Sequence, residues 1–88
     1  MAYEWDPGKS RANPAKHGVD FADAVAVFED PLALTRPDSD ARGEPRFVTL
    51  GSDAFGRLLV VVFVERGSNI RIISARTASS KERRSYEG

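Results

Sequence analysis

The feature that most constrains this chain is an apolar run in its second half, Leu58–Val64, in which all seven residues are hydrophobic. Because the run has no polar face and is rich in β-branched residues, it predicts a strand covered on both sides at the centre of a sheet. It is far too short for a membrane helix, which needs about 20 residues. With 88 residues, the chain has room for one domain around that strand.

Other segments predict the rest of the sheet. Alternating or mostly apolar stretches bounded by turn residues predict four more strands, at Tyr3–Trp5, Leu32–Thr35, Arg46–Leu50 and Ile70–Ala75. Turns at 51–56 and 66–69 join the last three strands, and a polar loop covers 36–45. Since consecutive strands joined by short turns pair with each other, the sheet should be antiparallel.

Start and stop residues predict three helices. Asp6 and Pro7 begin the first, which runs to His17 and ends at Gly18. Pro14 should kink or break it near Asn13, because an internal proline removes a backbone hydrogen bond.

The second helix begins at Asp20, turns Phe21, Ala24, Val25 and Phe28 to the core, and ends at Asp30-Pro31. A capping box of Ser79 and Glu82 begins the last helix, which ends near Tyr86. The predicted order is therefore β-α-α-β-β-β-β-α. It describes an α+β domain over residues 1–88, a small antiparallel sheet with helices packed on one face.

Composition excludes several kinds of site. The chain has no cysteine, so disulfides, thiolate zinc sites and cysteine nucleophiles are ruled out. No glycine-rich phosphate loop, dinucleotide fingerprint or metal-ligand cluster is present, so we predict no cofactor, and any catalysis should be metal-independent. With neither a signal peptide nor a membrane segment predicted, we expect a cytoplasmic protein with no membrane partner.

Charge is unevenly distributed along the chain. Residues 1–45 hold five basic and nine acidic side chains, whereas residues 46–88 hold eight basic and four acidic ones. This asymmetry favours one basic surface that attracts phosphate, although a mixed solvated surface would give the same totals.

One cluster of candidate functional residues falls on the first predicted helix. Lys9, Asn13, Lys16 and His17 share one face at helical spacing. Such a group could bind a phosphate and move a proton, since histidine titrates near neutral pH. The alternative is an ordinary solvated face with His17 near the negative end of the helix dipole.

A second cluster lies on or beside the predicted central strands: Arg57, Glu65, Arg71 and Arg76. These side chains could grip a scissile phosphate, with Glu65 as a general base, or they could form structural ion pairs. A three-residue hairpin loop would place Glu65 opposite Arg71, whereas a two-residue turn would place them on opposite faces.

The last segment of the chain is basic and carries one aromatic residue. Its basic residues are Arg76, Lys81, Arg83 and Arg84, and its aromatic residue is Tyr86. RNA-binding surfaces combine charge for the backbone with rings for stacking. The alternative is a charged helix exterior with Tyr86 packed onto the sheet.

In order and spacing, short segments along nearly the whole chain resemble the BrnT family of type II toxins. The most specific is the block Arg71–Arg76, followed by Glu82-Arg83 and Tyr86. The others are Glu4–Pro7 with Lys9, Asn13, Lys16–Val19, Phe21, Ala24, Val27-Phe28, Asp30-Pro31, Glu44, Arg46, Gly51 and Gly56-Arg57. Pro14 departs from the pattern, since a helix-compatible residue is usual there.

The resemblance implies a RelE-like ribonuclease fold, growth arrest through RNA cleavage, and neutralisation by a BrnA-type antitoxin. That antitoxin would carry a DNA-binding domain and repress the shared operon, so the toxin would meet DNA only indirectly. A dimer and a heterotetramer with antitoxin are both compatible with the resemblance.

Such a ribonuclease can use the substrate's own 2′-hydroxyl as nucleophile and needs a base, an acid and cations around the phosphorus. We predict Lys9 and either His17 or Glu65 for proton transfer, with Arg76 completing the catalytic set. The predicted RNA- and phosphate-binding residues are Lys16, Arg57, Arg71, Arg83 and Tyr86.

Two other functions are compatible with the sequence. The chain could be a non-catalytic module whose basic surface docks an acidic or amphipathic antitoxin segment. A direct DNA-binding regulator is disfavoured, because no helix-turn-helix with a basic recognition helix is present.

Overall fold

A computed structural model describes residues 1–88. Five strands and three α-helices follow the predicted order. The strands are β1 (Tyr3–Trp5), β2 (Leu34–Pro37), β3 (Phe47–Ser52), β4 (Leu58–Arg66) and β5 (Asn69–Thr77). The helices are α1 (Pro7–His17), α2 (Phe21–Ala24) and α3 (Ser80–Glu87), with a 3₁₀ helix at Val25–Glu29. None of these helices has the length and apolar character needed to span a membrane.

The strands form a single mixed sheet in the order β1-β5-β4-β3-β2. The predicted antiparallel pairing is correct for β2 to β5, and the apolar run forms β4, paired on both sides. The prediction is wrong for β1, which pairs with β5 in parallel. Two helices and three strands separate β1 from β5 in sequence, so no short turn dictates the direction of this pairing.

One face of the sheet carries the core. Eight fully buried side chains form it, contributed by the α1–α2 connection, α2, the 3₁₀ helix, β4 and β5: Val19, Phe21, Ala24, Val27, Leu59, Val61, Ile72 and Ala75. Two aromatics of β1 extend it, since Tyr3 packs on Phe28 and Trp5 packs on Phe21. The first strand is therefore held to the sheet by its side chains as well as by its backbone.

The first helix has the predicted ends but not the predicted break. The Asp6 carboxylate accepts a hydrogen bond from the Lys9 amide, Pro7 occupies the first turn, and Gly18 ends the helix in the left-handed region at φ 70°. Pro14 lies inside a continuous helix. It removes only its own N–H from the last turns, and its carbonyl still accepts from the Gly18 amide at 2.8 Å.

Several element boundaries differ from the predicted ones, and the structure decides between the two predicted forms of the last hairpin. The predicted second helix is α-helical only to Ala24 and continues as the 3₁₀ helix. The second strand begins at Leu34 rather than Leu32, because the Asp30 side chain and carbonyl hold the backbone amides of Leu32 and Ala33 in a turn. The last hairpin has a two-residue turn, Gly67-Ser68, since Arg66 pairs with Asn69.

The third helix lies on the second face of the sheet, so the expectation of helices on one face only is wrong. Its residue Glu82 is bonded to Arg76, and its residues line a cavity together with Val48, Leu50 and Val60, which point away from the core. The predicted capping box of Ser79 and Glu82 is present at its start. The second face is therefore only partly covered, because α3 has eight residues.

Candidate functional site

A bulge in β5 brings its polar side chains onto one face. Arg71 pairs with Val64, Ser74 with Val62 and Arg76 with Val60, and the register shifts between Phe63 and Val62 so that Ile73 has no partner on β4. In a regular strand, residues five apart point to opposite faces. The extra residue reverses that relation, and Arg71, Ser74 and Arg76 form one row on the face opposite the core.

A cleft lies where α1 runs along the edge of β5 beyond the end of β1. Its volume is about 240 Å³, and it is lined by Lys9, Ala12, Asn13, Lys16, His17, Ile73 and Ser74. All four polar residues of the first predicted cluster therefore meet at one cleft, and Pro14 does not separate them. Ser74 belongs both to this cleft and to the row of polar residues on β5.

The cleft is held together by Asn13, whose side chain is buried. Its amide nitrogen donates to the carbonyls of Ala75 and Val19, each at 2.8 Å, and its oxygen accepts from the Ala75 amide at 3.3 Å. Those Ala75 groups point away from β4, so Asn13 replaces the partner strand that β1 no longer supplies. The position of α1 against β5 follows from these three bonds.

The cations of the cleft have no acidic partners. Lys9 and Lys16 are exposed, His17 is half-buried, and none of them takes part in an ion pair. Two lysine ammonium groups and an imidazole thus line a small cleft without an acidic partner. Such an arrangement attracts an anion of phosphate size.

Arg76 lies near the end of β5 and is bonded to Glu82 in the first turn of α3. Its Nη1 and Nη2 donate to the two carboxylate oxygens of Glu82 at 2.8 and 2.9 Å. These bonds lower the pKa of Glu82 to about 2 and raise that of Arg76. Arg76 is still 44% exposed at its side chain, so an anion can approach it beside Glu82.

Arg71 lies further along the same row and faces Glu4 of β1, with 3.7 Å between Nη1 and Oε1. This ion pair is longer than the 2.8 Å pair between Arg76 and Glu82, and both of its side chains are about one-third exposed. Pairs of this kind contribute little to stability and can exchange partners. Arg71 therefore remains a candidate ligand for an anion on this face.

Arg57 has a different environment from the other candidates. Its Nε donates to the Asp53 carboxylate at 2.7 Å, its Nη1 lies 3.3 Å from the Gly18 carbonyl, and its Nη2 is 3.7 Å from Asp23. Asp53 is completely buried at its side chain, and its bonds to Arg57 and to the Arg57 and Phe55 amides lower its pKa against the effect of burial. Arg57 thus ties the β3–β4 turn to the α1–α2 connection.

Glu65 does not join the cleft. The two-residue turn gives the second of the two predicted outcomes, because Glu65 pairs with Ile70 and Arg71 pairs with Val64. The carboxylate therefore starts from the face opposite Arg71, at the exposed end of β4. Along β4, Glu65 is five residues, or about 16 Å, from Val60, which pairs with Arg76.

The two candidates on α3 also lie apart from the cleft. Arg83 is exposed and has no side-chain contact within hydrogen-bonding distance. The Tyr86 hydroxyl donates to Asp30 at 2.6 Å, a bond that raises the pKa of Tyr86 and lowers that of Asp30. Tyr86 therefore anchors the end of α3 to the turn before β2.

Sequence reasoning missed Ser74 and the bulge that positions it. The serine adds a hydroxyl that can donate or accept between α1 and the arginines. No group of three His, Asp or Glu side chains is placed to hold a metal ion. The site as a whole combines cations for a phosphate with groups that can exchange a proton.

Comparisons with known proteins identify the family of this chain. Residues 5–82 match a family described as the ribonuclease toxin BrnT of type II toxin–antitoxin systems. The fold is similar to the 1.1 Å crystal structure of the Brucella abortus ribonuclease toxin BrnT, with a TM-score of 0.74 and 35% sequence identity, covering 91% of this chain and 99% of that one. No individual curated protein sequence gives a significant match.

Proposed function

Since this chain belongs to the BrnT family of ribonuclease toxins of type II toxin–antitoxin systems, we propose that it cleaves RNA at the cleft between α1 and β5. The observation that carries this proposal is the meeting of Lys9, Lys16 and His17, all without acidic partners, beside Ser74. Ser74 also lies between Arg71 and Arg76 in the row of polar side chains on β5, which we call the arginine row. Cations and a titratable ring are thereby available to one bound phosphate.

The proposed reaction uses the ribose 2′-hydroxyl of the substrate as nucleophile. Its oxygen attacks the adjacent phosphorus, the bond to the 5′-oxygen breaks, and the products carry a 2′,3′-cyclic phosphate and a 5′-hydroxyl. One protein group takes the 2′-hydroxyl proton and another donates a proton to the leaving oxygen. The step needs neither a protein nucleophile nor a metal ion.

In this proposal His17 and Lys9 transfer the protons, since both line the cleft. Lys16 binds RNA phosphate at the rim. Arg76 and Arg71 stabilise the negative charge that develops on the phosphate oxygens. Ser74 completes the site by hydrogen bonding to the same phosphate.

The remaining candidates have other parts in the proposal. Arg57 positions the end of α1, because it bonds to the Gly18 carbonyl directly after His17. Glu65 is left out of proton transfer, since it points away from the arginine row. Arg83, exposed on α3, contacts RNA beyond the scissile phosphate, and Tyr86 holds that helix in place.

As a type II toxin, the protein has a cognate antitoxin. We propose that this antitoxin is of the BrnA type and that any contact with operator DNA is made through it. We also propose that the toxin acts in the cytoplasm, where its RNA substrate is found.

The proposal can be tested with purified protein and a labelled RNA in the presence of EDTA. The wild type should cleave the RNA and leave 2′,3′-cyclic phosphate ends, whereas Arg76→Ala should lower the rate about 100-fold, because it removes a cation from the transition state. Metal-dependent cleavage would contradict the proposed chemistry.

Glu82→Gln is the matched control, because it breaks the same ion pair but keeps the arginine. If Arg76 binds the phosphate, Glu82→Gln should cleave at least as fast as the wild type. If both variants lose activity equally, Arg76 acts only by anchoring α3 and the proposed role is wrong.

A further inference from the structure

A second and larger cavity lies on the same face of the sheet as the arginine row and next to it. Its volume is about 490 Å³, and it forms a groove between α3 and the strands β2, β3 and β4. We call it the α3 groove. Strand β2, at the open edge of the sheet, forms one wall, and all four of its residues are exposed. The ribonuclease site described above does not use this groove.

The floor of the α3 groove is apolar. It consists of Leu34, Val48, Leu50 and Val60, which the strand register places side by side on the face away from the core. Leu34 is 48% exposed, Val48 and Leu50 are half-buried, and Val60 is buried beneath them. An aliphatic surface left open to water at a concave site favours binding of another apolar group.

The rim of the α3 groove is basic. Arg36 and Lys81 line it, and neither takes part in an ion pair. The acidic side chain of the groove, Glu82, is already bonded through both oxygens to Arg76. The charge presented to a partner is therefore positive, and the complementary ligand is acidic.

These features distinguish a peptide from an RNA strand. Single-stranded RNA is held mainly by aromatic side chains on which the bases stack, and no aromatic side chain lines the α3 groove, whose single arginine, Arg36, lies beside an aliphatic floor. Aliphatic floors bind aliphatic side chains. We infer that the α3 groove docks a segment of the cognate antitoxin that carries apolar side chains for the floor and carboxylates for Arg36 and Lys81.

This inference rests on the family membership and on the presence of an antitoxin, and it does not require the proposed catalytic roles to be correct. It does connect the two sites. Glu82 lines the α3 groove and also holds Arg76, so a segment bound there lies directly beside the arginine row. An occupant of the groove would hinder the approach of RNA to Arg76.

The test uses the double variant Leu34→Glu/Arg36→Glu, in which both changes are at exposed positions of the edge strand. The matched control is Arg42→Glu, an exposed arginine in the β2–β3 connection without an ion pair. The probe is the purified antitoxin encoded beside this toxin gene. Titration calorimetry would measure its Kd for each protein, and the RNA assay would measure cleavage.

We expect the double variant to bind the antitoxin at least tenfold more weakly than the wild type, while Arg42→Glu binds within twofold of it. The Kd of the wild type should rise with salt, because exposed charge pairs are screened. The double variant should still cleave RNA but no longer be inhibited by an amount of antitoxin that silences the wild type.

Unchanged affinity in the double variant, with a melting temperature equal to that of the wild type, would overturn the inference. Loss of RNA cleavage together with unchanged antitoxin affinity would also overturn it and assign the α3 groove to RNA. If the wild type does not cleave RNA but the double variant loses antitoxin binding, the catalytic proposal fails and this inference stands.

Discussion

Basic side chains lie near the α1–α2 connection in two places, the β3–β4 turn and the cleft at α1, but only the one in the turn is paired with acidic groups. In the turn, Arg57 is bonded to the buried Asp53 and to the Gly18 carbonyl. One residue before Gly18, His17 faces the cleft with Lys9 and Lys16, and none of the three has an acidic partner. Arg57 is therefore paired with a carboxylate, whereas the basic side chains of the cleft are not.

This difference separates groups that maintain the fold from groups that are free to act on a ligand. A buried carboxylate such as Asp53 is costly without its cation, so the pair stabilises the native state. Unpaired cations within one cleft repel one another slightly and add nothing to stability. Folded proteins retain such arrangements where function requires them.

The largest expected effect comes from separating these two regions by substitution. His17→Ala should lower RNA cleavage by about 100- to 10,000-fold, the usual contribution of a proton-transfer group, and leave the melting temperature nearly unchanged. Arg57→Ala should lower cleavage far less, because Arg57 acts on His17 only through Gly18, but it should cost about 2–3 kcal/mol in the free energy of unfolding, because Asp53 keeps only its backbone partners. Cleavage is measured below the melting temperature of both variants.

The distinction between the two regions is wrong if His17→Ala and Arg57→Ala lose the same property to the same extent. Equal losses of activity at full stability would make Arg57 a phosphate ligand, as the sequence had suggested. Equal losses of stability would make His17 a structural residue at the end of α1. Activity in His17→Ala equal to that of the wild type would remove histidine from the reaction.

Much of the fold could be predicted because local signals agreed with the tertiary structure. The apolar run became the central strand, and the residues at the helix ends acted as caps. The parallel pairing of β1 could not be predicted, since a three-residue strand far from its partner carries no signal for direction. Pro14 misled the prediction, since α1 continues through it although one backbone hydrogen bond is lost, and its neighbour Asn13 ties the helix to β5.

The site was predictable in part for a related reason. Helical spacing correctly grouped Lys9, Asn13, Lys16 and His17, because that periodicity belongs to the helix itself. The shared face of Arg71 and Arg76 depends on the bulge at Ile73, and nothing in the sequence of β5 marks one. The roles of Arg57 and Tyr86 depend on partners distant in sequence, Gly18 and Asp30.

Asn13 lies in the cleft, but all of its side-chain hydrogen bonds are to backbone groups of Val19 and Ala75, so it tests how far the fold supports the cleft. Asn13→Ala should cost about 3 kcal/mol in unfolding free energy, since three hydrogen bonds are lost and buried groups of Ala75 and Val19 are left without partners. Cleavage should also fall, because α1 would no longer be tied to β5. Urea denaturation and the RNA assay would measure the two losses.

Asn69→Ala is the control for that substitution. Its oxygen accepts one exposed bond from the Ala2 amide, so its loss should cost less than about 1 kcal/mol. If Asn13→Ala is as stable as Asn69→Ala, the amide does not hold the cleft. If it is unstable but fully active below its melting temperature, the position of α1 does not limit cleavage.

The smallest effect concerns Glu82, whose carboxylate pairs with Arg76 at the partly exposed junction of β5 and α3. Its pKa is lowered from 4.5 to about 2, mainly by Arg76 and also by hydrogen bonds with Ser79, against the effect of burial, so the folded state binds its proton less tightly than the unfolded state does. The stabilisation from this group is therefore complete above about pH 4.5 and is lost as the pH falls towards 2. Because both side chains are partly exposed, we expect it to be about 1 kcal/mol.

Glu82→Gln tests this by removing the titration. Urea denaturation of both proteins at pH 7, 4, 3 and 2 should give a stability gap of about 1 kcal/mol at pH 7 that closes by pH 2. Asp30 and Asp53 also have lowered pKa values, so both proteins should lose stability in acid, and only the gap reports on Glu82. A gap that stays constant with pH would mean that the ion pair contributes nothing. Arg76 would then be as available to a ligand as the unpaired cations of the cleft.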